Sequence, residues 1–483
     1  MNLSSQSVLD RLVAYFSPSM GLTRMQAKAR MALSMNYDAA SRGRRTLAWA
    51  APGSSADAAA GQGARERIRN MARDFVRNRP YAHRGLEVIT SNVVGSGIAF
   101  SAANNSPARK VEVEKVLRQF FRPSMLDAQG QHGLAAMQRM VMNATVEDGE
   151  VLIRRRWRRG SYAKDLPLPF QVEVLEADYL DTWKTGHAGN PVIDGVEFGP
   201  TGRIEAYHLW REHPGGTISR FNLQSTRVPA ADIIHVRRAD RPGQARGVSW
   251  FAPVMLTLGD LSDYQESEIV KQKMAALMVG FIESEEDTSL VSATSDEAAE
   301  QLGLQNLEPG TFVELAGGQK INFSTPPTVQ GTYDPFMRQN LAAVAVGLGI
   351  TYEALTGDMT RVNFSSGRMG RMEMDRNIEA WQQLIMIGQF CEGLEGWIDE
   401  AWHMRPALGP ADLTLSWTAP RRVLIDPTKE IPAMIKEVDA GLTSRRRAQR
   451  QLGRDPDVIR QEIAEDRAED RAAEQADPAT ETE

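Results

Sequence analysis

One cysteine, seven histidines and no apolar run long enough to cross a bilayer are the scarcities of this 483-residue chain, and each removes a class of protein. The single thiol, Cys391, excludes an internal disulfide and any cysteine-rich zinc site, and suits a small apolar filler on a helix face. A spanning helix needs about 18 consecutive apolar residues. The longest candidate, LAAVAVGLGI from Leu341, falls short, and Asp10 and Arg11 interrupt the stretch where a signal peptide carries its apolar segment. A cytosolic protein with no membrane partner is the expectation. Reactive patterns are missing too: there is no G-x-x-x-x-G-K-[ST], no H-E-x-x-H and no G-x-S-x-G. GSGIAF at Gly95 keeps only the first two glycines of a dinucleotide loop and follows a helical pattern, so it reads as a turn. His208 and His235 fall in strand-like runs and read as structural, not as ligands. The acid pairs Glu147/Asp148 and Glu285/Glu286 lie on hydrophilic stretches and read as solvated. No enzyme, metal or cofactor is expected.

What is present is charge, unevenly placed. Residues 1–80 carry thirteen Arg and Lys against five acids, a balance of +8, whereas from Asp455 onward three arginines face eleven acids, a balance of −8. Ends of opposite sign suggest binding arms or subunit contacts, or solvated helix faces. The apolar share of 42% and charged share of 24% are those of an ordinary globular chain, with room for about three domain equivalents.

Small residues in SSADAAAGQGA, Ser54 to Ala64, mark a linker after an arginine-rich arm. Beyond it Ile68, Met71, Phe75 and Val76 share one helical face, Pro80 stops that helix, and a second amphipathic helix runs to Gly95 and Gly97. From Glu150 to Val236 the pattern turns to period two. EVLIRRRW, FQVEVLEADYL, NPVIDGVEFGPTGRIEAYHLW and ADIIHVRR predict a mainly antiparallel sheet, because the connections are too short for crossover helices. LGDLSDYQESEIVKQKMAALMVGFI predicts one long helix, and YDPFMRQNLAAVAVGLGI a second. Between them lies an acidic insert with Glu283, Glu285, Glu286, Asp287, Asp296, Glu297 and Glu300, followed by GTFVELA and QKINFST, which predict a hairpin about Gly317 and Gly318. The strongest periodicity is Ala380, Leu384, Ile387, Cys391, Leu394, Ile398 and Ala401, a helix from Arg368 to His403 broadened by Trp381, Trp397 and Trp402. So wide an apolar face needs cover from other elements of the chain or from a neighbouring copy, and the pattern leaves both open. Past Pro427 a short helix and an acidic segment ending in disorder are expected.

TGDMTRVNFSSGRMGRMEMDRNIEAWQQLI, Thr356 to Ile385, carries the remaining chemistry. Arg361, Arg368, Arg371 and Arg376, with Asn363, Ser365 and Ser366, are donors suited to phosphate oxygens. The competing reading is that these arginines pair with Glu373, Asp375 and Asp358.

These stretches resemble the portal proteins of tailed bacteriophages, of the phage lambda type, over roughly Ala64 to Arg471. ARDFVRNRPYAHRGLEVITSNVVGSGI is similar to that family's N-terminal helix pair, and DGEVLIRR, QVEVLEADYLDT and GVEFGPTGRIEAYHL to its strand-rich wing. IIHVRRADRPGQARGVSWFAPVM resembles the approach to the stem, AAVAVGLGITYEALTGDMTRVNFSSGRMGRMEM is the most specific stretch, and IDPTKEIPAMIKEVDAGLTSRRRAQRQLG resembles the C-terminal part. The resemblance implies an α+β subunit divided as follows: a basic arm, 1–63; a wing, 64–255; a stem helix, 256–282; a small α/β clip, 283–332; a second stem helix, 333–355; a tunnel loop, 356–370; a long tunnel helix with a return to the wing, 371–426; a helical crown, 427–471; and a disordered acidic tail, 472–483. It further implies a ring, generally of twelve subunits, at one capsid vertex, with double-stranded DNA in its channel. The implied partners are the terminase large subunit, the major capsid protein or scaffold, and head-completion proteins. The implied locations are the virion and, during assembly, the host cytoplasm. The implied DNA-contacting residues are Arg361, Asn363, Ser365, Arg368 and Arg371. Glu283, Glu285, Glu286 and Asp287 would face terminase, and Leu384, Ile387, Leu394 and Ile398 would pack between subunits. Twelve copies would carry −72, twelve times the −6 of one chain, which disfavours tight adsorption of a polyanion and leaves the loop as the close contact. The alternative is a non-ring nucleic-acid-binding protein using the basic N-terminal arm.

Overall fold

The structure, a computed structural model, describes residues 54–102, 106–216, 224–276, 280–284, 319–323, 333–410, 413–420, 426–454 and 456–476. The chain divides into two compact units, Met1–Ala59 and Ala60–Glu483. Of the first, a short helix at Ala56–Ala59 lies among the described residues; the arm from 1 to 53 lies outside them. The second unit opens with helix α1 (Gln62–Asn78), one residue before the expected end of the arm.

Helix α1 stops where the sequence says it must. Arg79, which precedes a proline, takes extended geometry (φ −120°, ψ 120°), and Pro80 becomes the first residue of α2 (Pro80–Val93). Strand β1 (Ala99–Ala102), α3 (Pro107–Phe120) and α4 (Leu134–Glu147) follow. Gly149 then turns the chain into β2 (Glu150–Trp157) with φ +94°, and a Cβ there would lie 2.2 Å from the Val248 carbonyl carbon, so only glycine fits. Strand β2 is the centre of a three-stranded antiparallel sheet, between β3 (Phe170–Leu175) and β9 (Ile233–Arg237). Its run VLI is apolar on both faces for a reason. Val151 and Ile153 face the main core, whereas Leu152 joins a second core with Leu175, Tyr207, Leu209 and Val228.

That second core lies under an antiparallel meander of β4 (Gly186–His187), β5 (Asn190–Ile193), β6 (Val196–Phe198), β7 (Ile204–Leu209) and β8 (Thr226–Pro229). Two tight turns set its register, Ala188-Gly189 and Asp194-Gly195, all four residues having positive φ as two-residue hairpins require.

Helix α5 (Met255–Ala276) and α6 (Tyr333–Leu348) are neighbours and flank the insert. Helix α5 is shorter than expected. Gly280 interrupts the periodic pattern, and Gly280–Ser284 forms β10, paired with β11 (Gln319–Phe323). The run QKINFST therefore pairs with the residues that follow α5; GTFVELA lies outside the described residues.

After α7 (Tyr352–Thr356) comes the longest element, α8 (Phe364–Trp381), continued through a π-helical segment (Gln382–Cys391) into α9 (Glu392–His403). Forty residues at 1.5 Å each extend about 60 Å. Strand β9 and helix α4 pack on the π segment, and Ile387, Leu394 and Ile398 are buried in the main core. The expectation that these three pack between subunits is thereby corrected: their cover comes from within the chain. Leu384 alone of the four is exposed, at 70%. Gln389 closes the free edge of β9, its amide accepting from the Arg237 N–H at 2.9 Å and donating to the Arg237 carbonyl at 3.0 Å.

Strand β12 (Leu415–Thr418) returns to pair with β1. Three helices end the described chain: α10 (Pro427–Asp439), α11 (Arg445–Gln451) and α12 (Pro456–Ala476). Helix α12 reaches five residues into the segment expected to be disordered, 472–483.

Candidate nucleic-acid interface and subunit surface

The basic loop is short and built on a helix end. Gly357, at φ +75°, ends α7, and Asp358 then folds the chain back. One Asp358 oxygen accepts from the Thr360 amide (2.9 Å) and hydroxyl (2.6 Å), the other from Tyr352 Oη (3.4 Å) and Arg338 Nη1 (3.5 Å) on α6. The Thr360 bonds above all hold this carboxylate below its ordinary range. Asn363 caps α8 in a reciprocal box: its Oδ1 accepts from the Ser366 amide at 2.8 Å, and Ser366 Oγ accepts from the Asn363 amide at 3.1 Å. Residues 364–370, expected as loop, are therefore the first turns of the long helix.

This geometry sorts the five expected contact residues. Arg361 is exposed on the loop, 3.7 Å from an equally exposed Asp334 on α6. Asn363 Oδ1 is engaged as the cap. Ser365 and Arg368 are exposed on the first turns of α8, and Arg368 makes no ion pair among the described residues. Arg371 points back into the fold, donating to Asp375 (3.0 Å) and to Asn92 Oδ1 (3.4 Å). Arg376 pairs with Glu373 at 3.2 Å. The competing reading thus holds for Arg371 and Arg376 and fails for Arg368. Of the four acids expected to face terminase, Glu283 lies on β10 opposite Lys320 of β11; Glu285, Glu286 and Asp287 lie outside the described residues.

Apolar side chains line the exposed face of the same region. Met359, Phe364, Met369 and Met372 are more than half exposed, and Leu256 on α5 and Val346 on α6 are open to solvent. Exposed large apolar groups on consecutive turns mark a contact surface.

Arginines counted with the basic N-terminal end turn out to be internal. Arg65, Arg69 and Arg73 recur every fourth residue along α1 and meet Asp194, Asp178 and Asp148, respectively. The spacing of four was the available signal. Asp148 is buried and bound by Arg73 through two hydrogen bonds (2.8 and 2.5 Å), which corrects its reading as a solvated acid. Glu147 beside it is pushed up to about 6 by burial and by the charge of Asp148. Glu176, Asp178 and His213 have the spacing of a metal site, but Arg73 lies 3.1 Å from Glu176 and 2.8 Å from Asp178 and supplies the positive charge there.

His208 and His235 are structural. His208 is bonded to Glu197 at 2.9 Å and His235 to Glu150 at 2.8 Å, and burial pushes both imidazoles below their ordinary value. Glu150 is fully buried. Burial opposes its ionisation, yet Arg246 (2.7 Å), His235 and the Gly247 amide hold it well below the carboxylate range. Burial pushes the Cys391 thiol upward, as befits an inert core group.

A helix pair, a two-sheet wing, two helices flanking an insert and a long helix, buried along its C-terminal half, behind a capped loop define a portal-type α+β subunit. The profile of the phage portal proteins of the lambda family matches residues 42–382, and the chain belongs to that family. It is 26% identical over 433 residues to a probable portal protein of Halomonas phage phiHAP-1, covering 83% of this chain and 80% of the relative. To portal protein B of Escherichia phage lambda it is 23% identical over 440 residues, covering 82% of each. In fold it is similar to a chain from the neck of a native gene transfer agent particle computed with C12 symmetry. The TM-score is 0.50 at 13% identity, covering 80% of this chain and 94% of that one. No helix among the described residues is long and apolar enough to cross a membrane.

Proposed function

We propose that this chain forms the ring at the unique vertex of a phage-type capsid, with double-stranded DNA passing through its channel during packaging and ejection. The observation that carries this reading is the family match across the wing, both helices that flank the insert, and the start of the long helix. The C12 neck to which the fold is similar favours twelve copies. The insert between α5 and α6, with its run of acids, is the surface for terminase, and head-completion proteins take the same end after packaging. The wing meets the capsid protein or scaffold. The ring forms in the host cytoplasm and ends in the virion.

Within the ring, Arg368 and Arg361 are the close contacts with DNA. Arg368 makes no ion pair among the described residues and lies near the N-terminal end of α8, where helix amides favour an anion. Arg361 is held by one exposed pair, which is worth little in water. A sliding polyanion needs few strong contacts, since each neutralised phosphate adds affinity and hence drag. Negative-stain images of the purified protein test the ring: annuli with a central hole are expected, and compact single particles at every concentration would refute it. Reversing both arginines to Glu should leave annuli intact and reduce packaged DNA; unchanged packaged length and titre would remove the loop from the mechanism.

A further inference from the structure

We propose that the C-terminal helices are a subunit-to-subunit surface in which the acidic α12 of one copy lies against the basic α11 of the next. This rests on the ring reading above. Within one chain the segment has almost no interior: among the described residues of α10 to α12 only Ala448 and Pro456 are buried. Ile431, Ile435, Leu442 and Ile463 are exposed, Leu442 at 80%. From Arg460 to Arg471 every side chain of α12 faces solvent. In proteins most helical stability comes from packing of an apolar face, and here that face is open, so the exposed edge needs a cover.

Charge identifies the cover. Between Ser444 and Arg454 there are five arginines and no acid, whereas α12 carries seven acids and three arginines. Arg445, Arg447, Arg450 and Arg454 make no ion pair among the described residues. Helices α11 and α12 follow one another in the chain and touch. In a closed ring the same pair recurs at each step, so basic and acidic helices alternate around it and every α12 has a basic neighbour on its far side. Burial of Ile431, Ile435 and Leu442 supplies adhesion, and the alternating charge fixes the order. DNA is the less favoured occupant of α11, because the acids of α12 stand beside it. The arm 1–53, with seven basic residues against two acids, is the less favoured occupant of α12 because its charge is spread over many more residues.

Full-length chains bearing Arg450→Cys are assembled together with chains bearing Glu462→Cys, Glu465→Cys or Glu469→Cys, checked for annuli, and oxidised. Disulfide-linked pairs are expected on denaturing gels from mixed rings in at least one combination, and none from rings of either chain alone. Separately, Arg445→Glu, Arg447→Glu and Arg450→Glu together should lower the salt concentration at which rings fall apart. Adding Glu462→Arg, Glu465→Arg and Glu469→Arg should restore it. Annuli that never cross-link and keep their salt resistance would overturn this inference while leaving the ring intact; the absence of annuli from unmodified protein would remove both. Cross-linking of Glu465→Cys to Ser41→Cys alone, or reversal of α11 that abolishes ring binding to duplex DNA without changing salt resistance, would assign the surface to the arm or to DNA and overturn it equally.

Discussion

At position 150 a carboxylate without solvent exposure ties three segments together: β2 by its own backbone, β9 through His235, and the approach to α5 through Arg246 and Gly247. Arg246 reaches on to the Asp194 carbonyl at 2.5 Å, which joins the meander to the same centre. Glu150→Gln should lower stability by about 3–5 kcal/mol, because it leaves the buried guanidinium of Arg246 uncompensated. Urea denaturation of the variant checks it. The neighbouring Glu147 acts in the opposite sense. Its folded value of about 6 lies above the ordinary 4.5, so the folded state holds the proton more tightly. Its contribution to stability is full below about 4.5 and is lost as pH rises through 6. Asp148, also pushed up to about 6 by burial, keeps its own share of the slope, so Glu147→Gln should reduce the slope without abolishing it and stabilise the protein by about 1–2 kcal/mol at pH 8. Denaturation midpoints at pH 4.5 and 8 measure it, and equal slopes in both proteins would contradict the assignment. None of these partners could be paired from the sequence. Acids at 148, 178 and 194 meet arginines at 73, 69 and 65 only because the chain folds back on α1.

Among elements, the long helix shows how far periodicity reaches. Its apolar steps correctly predict a helix, but the same pattern leaves open what covers it, and the cover proves to be β9, α4 and the rest of the main core. The π segment adds a shift that heptad counting does not contain, leaving Leu384 in solvent while Ile385, Met386 and Ile387 are buried. The start of the helix was likewise legible only in part: the capping box of Asn363 and Ser366 lies earlier than the apolar steps begin. Asn363→Ala should cost about 1 kcal/mol and fray the turn that bears Ser365 and Arg368. Amide hydrogen exchange at residues 364–370 should rise while exchange in α9 stays unchanged. Glycine fixes the approach of other elements. Gly393 admits Ile234 where a Cβ would lie 2.8 Å from its side chain, and Gly393→Leu should separate α9 from the sheet and lower the unfolding midpoint.

For the whole molecule, the proposed ring offers a neighbour to cover the exposed apolar groups on α5, α6, α8 and the π segment. Leu384→Asp and Met369→Asp together should leave the subunit folded, since neither side chain belongs to the core, and should shift light scattering from ring to monomer. Retained rings would show that this edge is not a subunit contact. The sequence alone determined the family, the order of helices and strands, the stops at Pro80 and the glycine turns, because these depend on local backbone preference and on periods of two and 3.6. Tertiary structure alone decided which side of the long helix is interior, which arginines are already neutralised and which stand free. Those outcomes depend on groups distant in the chain competing for the same surface or the same charge, and a local pattern carries no record of that competition.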